Sequence, residues 1–372
     1  MDAKINQPAE TPGGPQGRFA AVYRVLEEAI AARAFPGCAF GVLAGGEVVL
    51  ADALGRFTYD EGAPAVEPET VYDIASITKV ASTTAVAMLL YQRGLLDLER
   101  PLGDLLPGFV ERRAHRDVAR NVTLRQLLAH NSGLPGYVEF FRKATNAEDL
   151  FIACLALPLE AEPGTRAEYS DPGFILLGKA LDVLTGEALA TWTPREVHSP
   201  LGLAATCFRP PSGVRASIPP TEEDTAFRHR RIQGEVQDEN AWVLGGAAGH
   251  AGLFSNVPDL LRFAGEMLAA AGKTGDAHLF DAATVELFAG RQGPEGSSRA
   301  LGWDTPSPDS TSGRHFSPHS IGHLGFSGCS LWIDLDAGIA VALLTNRTCP
   351  DRKSRQIRQV WPVFHDAVRE AL

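Results

Sequence analysis

Lysine and methionine are scarce in this chain, cysteines are few, and long apolar runs are missing. Lys and Arg together number 34 against 45 Asp and Glu, a formal charge of −11. That balance disfavours nucleic acid or an anionic membrane as partner. No apolar run approaches the ~18 residues that span a bilayer. Met1–Gly17 is polar and rich in Pro and Gly, without the basic start and apolar centre of a secretion signal. We read residues 1–17 as a loose tail and expect a cytoplasmic protein. The five cysteines (Cys38, Cys154, Cys207, Cys329 and Cys349) are odd in number, scattered, and form no Cys-x-x-Cys pair. Reduced, mostly buried thiols are the expectation. No Gly-x-Ser-x-Gly elbow is present, which argues against an α/β-hydrolase.

What is present starts with size. At 372 residues the chain exceeds the roughly 250–300 that one core serves, so two lobes are expected. Apolar residues recur at helical spacing from Arg18 to Ala34, and Pro36-Gly37 ends that run. Strand-like runs follow at Cys38–Leu43 and Glu47–Leu54, joined around Gly45-Gly46 as a hairpin. A helix starting at Ser76 runs through small residues to Gly94. Further helices are read at Thr123–His130, Ala147–Leu155, Pro172–Leu184 and Val257–Ala271, with Thr123 and Asn256 as caps. Gly202–Asn240 lacks periodicity and reads as a long surface excursion. Strands return near Ser320–Gly325, at Leu331–Leu335 and at Gly338–Thr345, and a last helix carries Ile357 to Val368, kinked or interrupted near Pro362. Strands thus cluster at both ends. The expected organisation is a sheet domain from residues 18–95 and 246–372, with a helical domain, 96–245, inserted between.

Ser76 and Lys79 are the only serine and lysine in the chain spaced Ser-x-x-Lys. At a helix start that spacing stacks the side chains one turn apart, a hydroxyl beside an amine that can handle its proton. Glu168-Tyr169-Ser170-Asp171-Pro172 precedes a helix in the inserted region. Ile321-Gly-His-Leu-Gly-Phe-Ser-Gly328 reads as a strand edge with a basic residue, His323, and with glycines such as Gly325 that let a substrate backbone come close.

Together these three patterns resemble the serine β-lactamase and penicillin-binding protein superfamily, in its class C and carboxylesterase-like branch. Ser76-Ile-Thr-Lys79 resembles the nucleophile motif, Tyr169-Ser-Asp171 the Tyr-x-Asn motif and His323-Leu-Gly325 the Lys-Thr-Gly motif. Leu124–Leu134, Gly249–Ser255 and Leu343–Arg347 resemble its supporting segments, so the likeness runs in order over roughly residues 18–370. It implies an α+β fold: an α/β/α sandwich on an antiparallel sheet with an inserted all-helical lobe. It further implies attack by Ser76 to form an acyl-enzyme, proton work shared by Lys79 and Tyr169, and an oxyanion hole from the backbone N–H groups of Ser76 and Phe326. Asp171, His323 and Gly325 would flank a small-molecule ester or amide, with no cofactor and no metal.

The site departs from that family twice. Asp171 stands where an amide is usual and should hold Lys79 protonated and oppose a phenolate at Tyr169. His323 stands where lysine is usual, so a fixed positive charge becomes a pH-dependent one. Free Lys and Tyr titrate near 10.4 and 10, so turning either into a base near neutrality takes a shift of ~3 units, about 4 kcal/mol. Both departures weaken the case for β-lactams and D-Ala-D-Ala peptides and favour an ester or a less acidic amide. Other readings are a D-amino-acid or muropeptide amidase or carboxypeptidase, a weak β-lactamase, and a non-catalytic sensor of cell-wall fragments. His315, His319 and His323 are evenly spaced, but the Gly, Pro and Ser between them argue against a helix and no carboxylate or Cys completes a metal set. His130 and His250 read as structural residues lining the cleft.

Overall fold

The hairpins at opposite ends of the chain meet in one sheet. In the computed structural model, which describes residues 15–113 and 116–372, the strands are β1 (Gly37–Ala44), β2 (Glu47–Gly55), β3 (Ser320–Leu324), β4 (Ser330–Asp334) and β5 (Ile339–Thr345). They pair antiparallel in the order β2-β1-β5-β4-β3. β1 and β5 are the centre of the seam, with Cys38 opposite Thr345 and Ala44 opposite Ile339.

Successive side chains on a strand point to opposite faces, so a strand covered on both sides is apolar throughout. Cys38, Phe40 and Val42 of β1 and Val341 and Leu343 of β5 enter one core; Ala39, Leu43, Ala340, Ala342 and Leu344 enter the other. The helices that matter below are α1 (Ala20–Ala31), α2 (Ala85–Gln92), α3 (Asp171–Thr185), α4 (Val257–Ala270) and α5 (Ile357–Glu370). α1 and α5 lie together over the first face through Val22, Leu26, Trp361 and Phe364. α4 covers the second through Leu260, Leu261 and Ala264, and its first turn is capped by Asn256, whose side chain accepts the Asp259 N–H at 3.0 Å. The result is the α/β/α sandwich expected.

The segment between the two sheet halves is helical at first and then includes short strands, Cys207–Phe208, Glu222–Asp224 and Arg230–Ile232. Gly202–Asn240 is a surface excursion only in part: Pro211–Val214 are exposed, but much of the rest turns inward. Ile218, Thr221, Glu222, Asp224, Ile232 and Gln237 are buried, and the Gln237 N–H donates to Asp73 at 2.7 Å. Many of these buried residues are polar and satisfied by hydrogen bonds, so no apolar period marks them. The helix expected from Ser76 to Gly94 begins as a tight 3-10 turn (Ala75–Ile77), widens to a π turn over Lys79–Thr84, and becomes α-helical only at α2. Residues Lys79–Leu90 are all buried, which makes this the central helix of the molecule. α5 runs through Pro362 without the interruption that was one of the two outcomes expected there, and the proline leaves one backbone hydrogen bond of the helix unmade. Of the tail, residues 1–14 lie outside the described residues, and Pro15–Arg18 forms one helical turn.

Gly41 fixes how closely α4 approaches the sheet. A Cβ there would stand 2.5 Å from Val257 Cγ1 and 2.9 Å from Leu261 Cδ1. Gly41→Val is expected to destabilise the fold by about 1–3 kcal/mol or more, read as a lowered thermal midpoint; an unchanged midpoint would show that α4 does not depend on this contact.

Candidate active site

The nucleophile turn is built from a short strand and a strained residue. Tyr72–Asp73 pairs antiparallel with Phe254–Ser255. Ala75 then takes φ +46°, a conformation that costs a residue with a Cβ free energy. Three hydrogen bonds hold it. Asp73 Oδ1 accepts the Ala75 N–H at 2.8 Å, Thr78 Oγ1 donates to the Ala75 carbonyl at 2.6 Å, and the same hydroxyl accepts the Leu253 N–H at 3.0 Å. Asp73 is fully buried, and burial pushes its carboxyl up to about 6 against the backbone donors Gln237 and Ala75. The turn leaves Ser76 partly open to the cleft and puts Lys79 entirely inside.

An ammonium carries three donors, and Lys79 uses all of them. Nζ reaches Ser76 Oγ at 3.0 Å, Asp171 Oδ1 at 2.7 Å and the His250 carbonyl at 3.1 Å. Burial works to strip its proton, but the charge of Asp171, helped by Tyr169, outweighs burial and leaves the lysine pKa raised. The His250 ring is held in turn by Asp238 Oδ1 at 2.8 Å from Nε2.

Tyr169 and Asp171 flank the start of α3. Ser170 is its cap: Oγ accepts the Gly173 N–H at 3.0 Å and donates to the Pro135 carbonyl at 2.7 Å. The Ser170 N–H donates to His130 Nδ1 at 3.0 Å, so the proton of that imidazole is on Nε2. His130 lies against the rings of Tyr169 (4.6 Å) and Phe174 (4.9 Å) and is kept neutral by burial, with Arg299 and Lys79 adding to it. Lys79 Nζ stands 4.8 Å from the Tyr169 ring centre. The phenol pKa is raised, chiefly by burial and further by Asp171, while Lys79 and Ser76 oppose the shift. The resting site therefore holds an ammonium, a carboxylate and a neutral phenol around one hydroxyl.

The end of β3 closes the other wall. A Cβ on Gly325 would come within 2.5 Å of the Ile74 carbonyl, so only glycine lets this strand end lie against the nucleophile turn. Ser327 Oγ donates to the Asp73 carbonyl at 2.7 Å and Arg347 Nε to the Phe326 carbonyl at 2.8 Å, which clamps the Phe326 and Ser76 segments together. His323 is not the titrating cation expected from its motif. It is buried, and burial together with Lys79 and Arg299 drives its pKa well below 6.5. Its Nδ1 donates to the Leu324 carbonyl at 2.8 Å, leaving Nε2 buried with no partner among the described residues. The ring is 5.9 Å from that of Tyr169.

The structure thus brings Ser76, Lys79, Tyr169, Asp171, His323 and Gly325 into one cleft. The evenly spaced histidines do not converge: His315 faces Glu370 at 3.3 Å and His319 faces Glu286 and Asp336, while His323 is in the cleft. Three participants escaped the sequence reading: Asp73, Asp238 and Arg299 belong to no motif. His250, read as lining the cleft, does so through its backbone carbonyl, a role that sequence does not advertise.

The α/β/α sandwich and the serine–lysine pair at the head of its central helix are those expected of a β-lactamase-like serine hydrolase. A family model described as Beta-lactamase matches residues 22–361, and the chain belongs to that family. It is 32% identical over 369 residues to "N-acetylmuramyl-L-alanine amidase" of Bacillus subtilis, covering 91% of this chain and 83% of the relative. It is 31% identical over 305 residues to "Putative D-alanyl-D-alanine carboxypeptidase" of Escherichia coli, covering 75% of this chain and 69% of the relative. Among solved structures, "EstCE1, a hydrolase with promiscuous acyltransferase activity" superposes with a TM-score of 0.75 at 23% identity, covering 95% of this chain and 99% of that one. No helix among the described residues is long and apolar enough to cross a membrane.

Gly325→Ala is expected to lower kcat on the order of 10²-fold, since a shift of about 1 Å in a reacting group costs that much, with a much smaller change in thermal midpoint. Equal kcat in the variant would show that the strand end and the nucleophile turn need not touch.

Proposed function

We propose that this protein opens an amide or ester bond of a small molecule through an acyl-enzyme on Ser76, with Asp171 as the final store for the displaced proton. The observation that carries the reading is the bridging ammonium, 3.0 Å from Ser76 Oγ and 2.7 Å from Asp171 Oδ1. Neither Lys79 nor Tyr169 is a base at rest, because both pKa values are raised. The carboxylate is the one group ready to take a proton. Lys79 hands one proton to Asp171 and accepts the proton of Ser76 as Oγ bonds to the substrate carbonyl carbon. An ion pair costs more to keep in a dry pocket than in water, so a substrate that excludes water makes the neutral Lys–Asp pair more accessible. The N–H groups of Ser76 and Phe326 are the donors for the developing oxyanion.

The tetrahedral intermediate then collapses and the bond to the leaving group breaks. Tyr169, neutral and beside Lys79, donates its proton to the departing amine or alcohol. Lys79 reprotonates the phenolate and Asp171 returns its proton to Lys79, which restores the resting charges. Water enters in place of the leaving group and repeats the sequence to release the acid. A phenol with a raised pKa keeps its proton at rest, so Tyr169 has a proton to give when the leaving group departs. The printed names of the amidase and carboxypeptidase relatives favour an amide over an ester. A non-catalytic sensor would have no need of Ser76, Lys79 and Tyr169 together. The charge of −11 supports a small molecule rather than nucleic acid as partner, and five cysteines without a disulfide support a cytoplasmic address.

A fluorophosphonate probe should label the protein and fail on Ser76→Ala; no labelling, or labelling that survives the substitution, defeats the enzyme reading. Asp171→Asn removes the carboxylate that keeps Lys79 charged. The variant must then use Lys79 itself as base. Because an amine titrates far above a carboxylate, ~10.4 against ~4, the acidic limb of its kcat/KM profile should move to higher pH. An unchanged profile would remove Asp171 from the proton path.

A further inference from the structure

The two donors proposed for the oxyanion stand on separate segments, Ser76 on the nucleophile turn and Phe326 on the loop after β3, and one buried residue touches both segments. We infer that Asp73 is the positioning residue of this oxyanion hole, holding the two donors in place only while its carboxylate is ionised, so that a proton on Asp73 switches the site off. The inference rests on the hydrolase reading above and adds to it a pH control and a residue that no motif contains.

Asp73 lies three residues before the nucleophile, and each of its oxygens has separate work. Oδ1 accepts the Ala75 N–H at 2.8 Å, which holds that residue at φ +46° and with it the backbone N–H of Ser76 that follows. Oδ2 accepts the Gln237 N–H at 2.7 Å. Gln237 is followed by Asp238, which holds the His250 ring, and the His250 carbonyl is the third acceptor of Lys79. The main-chain carbonyl of Asp73 accepts the hydroxyl of Ser327, the residue after Phe326, at 2.7 Å. One residue thus meets the nucleophile turn, the loop with the second donor, and the chain that positions the ammonium.

A carboxylate accepts on both oxygens, whereas a carboxylic acid turns one of them into a donor. With an N–H facing each oxygen, a proton on Asp73 sets donor against donor, and one of the two bonds is lost. Burial makes that proton easy to add. It pushes the carboxyl up to about 6, and the charge of Asp238 raises it further, while the Gln237 and Ala75 N–H groups and Arg228 oppose the shift. Arg228, the cation that faces Asp73, is paired with Asp224 instead. The Cys329 thiol, which donates to the Asp73 carbonyl at 3.8 Å, stays protonated because burial pushes its pKa up to about 12. A carboxyl raised in this way favours the fold in its protonated form. That stability is present below the ordinary carboxylate value and is lost as pH rises through about 6. At neutral pH the fold therefore keeps an ionised Asp73 at a cost to its own stability, as a group retained for the site does.

The test follows the rate at which a fluorophosphonate probe labels Ser76, since the phosphoryl oxygen calls on the same two donors as an oxyanion. In the unsubstituted protein the rate should fall about tenfold from about pH 7 to about pH 5, with its midpoint near 6. Asp73→Asn offers one acceptor oxygen and sets its amide N–H against a backbone N–H, as the acid does. At about pH 7 it should label on the order of 10²-fold more slowly, and no fall near pH 6 should remain. Asp238→Asn removes the charge that lifts Asp73 and should carry the midpoint to lower pH. A rate that stays level from about pH 7 to about pH 5 in the unsubstituted protein overturns the proposal. So does a fall near pH 6 that survives Asp73→Asn, which would assign it to another group, or a midpoint that Asp238→Asn leaves in place. The pH series and Asp238→Asn decide the matter even if Asp73→Asn fails to fold. Labelling that is level with pH strikes this inference alone, whereas absence of labelling at every pH strikes the hydrolase reading and this inference with it.

Discussion

The contact on which the site depends is the buried pair between Lys79 and Asp171. Lys79 is fully buried, and a lone ammonium there would cost several kcal/mol and lose its proton. Asp171 reverses that outcome at 2.7 Å. The pair also locks the architecture together. Lys79 comes from the central helix, Asp171 from the first turn of α3, and the third acceptor, His250, from the glycine-rich loop before α4. Three segments far apart in the chain converge on one nitrogen, and Ser76 is placed by the same nitrogen.

Charge then decides what the cleft can do. With Asp171 in place of an amide, the lysine is an ammonium at rest and the phenol keeps its proton, and in the proposed reaction the proton acceptor is the carboxylate one residue further out. With His323 buried and neutral, the motif at β3 offers an acceptor nitrogen where a cation would be expected. The relatives and structural neighbours carry names as different as amidase, carboxypeptidase and a hydrolase with acyltransferase activity on one scaffold. In such a family the activity is to be read from the site and not from the fold.

Much of this was legible in the sequence, for reasons that can be named. The hairpins at both ends announced themselves through apolar strands and Gly45-Gly46, and the capped helices through Thr123 and Asn256, because these are local signals. Ser76, Tyr169 and His323 were legible as ordered motifs, and so was the tendency of Asp171 to keep Lys79 charged. Three things were not. The protonation of His323 depends on burial, which a basic residue next to glycine does not reveal. Gly202–Asn240 looked like surface because its buried residues are polar. Asp73, with the strained Ala75 beside it, and Arg299 act through long-range contacts with no spacing to betray them.

The central claim is that Lys79 rests as an ammonium tied to Asp171. With six lysines in the chain, NMR of protein carrying labelled lysine side chains can follow this one signal, assigned by its loss in Lys79→Met. The account predicts an ammonium signal that does not titrate between about pH 6 and about pH 9 and that begins to do so in Asp171→Asn, where burial is left unopposed by the carboxylate. A Lys79 that is already a free amine near neutral pH in the unsubstituted protein would contradict it.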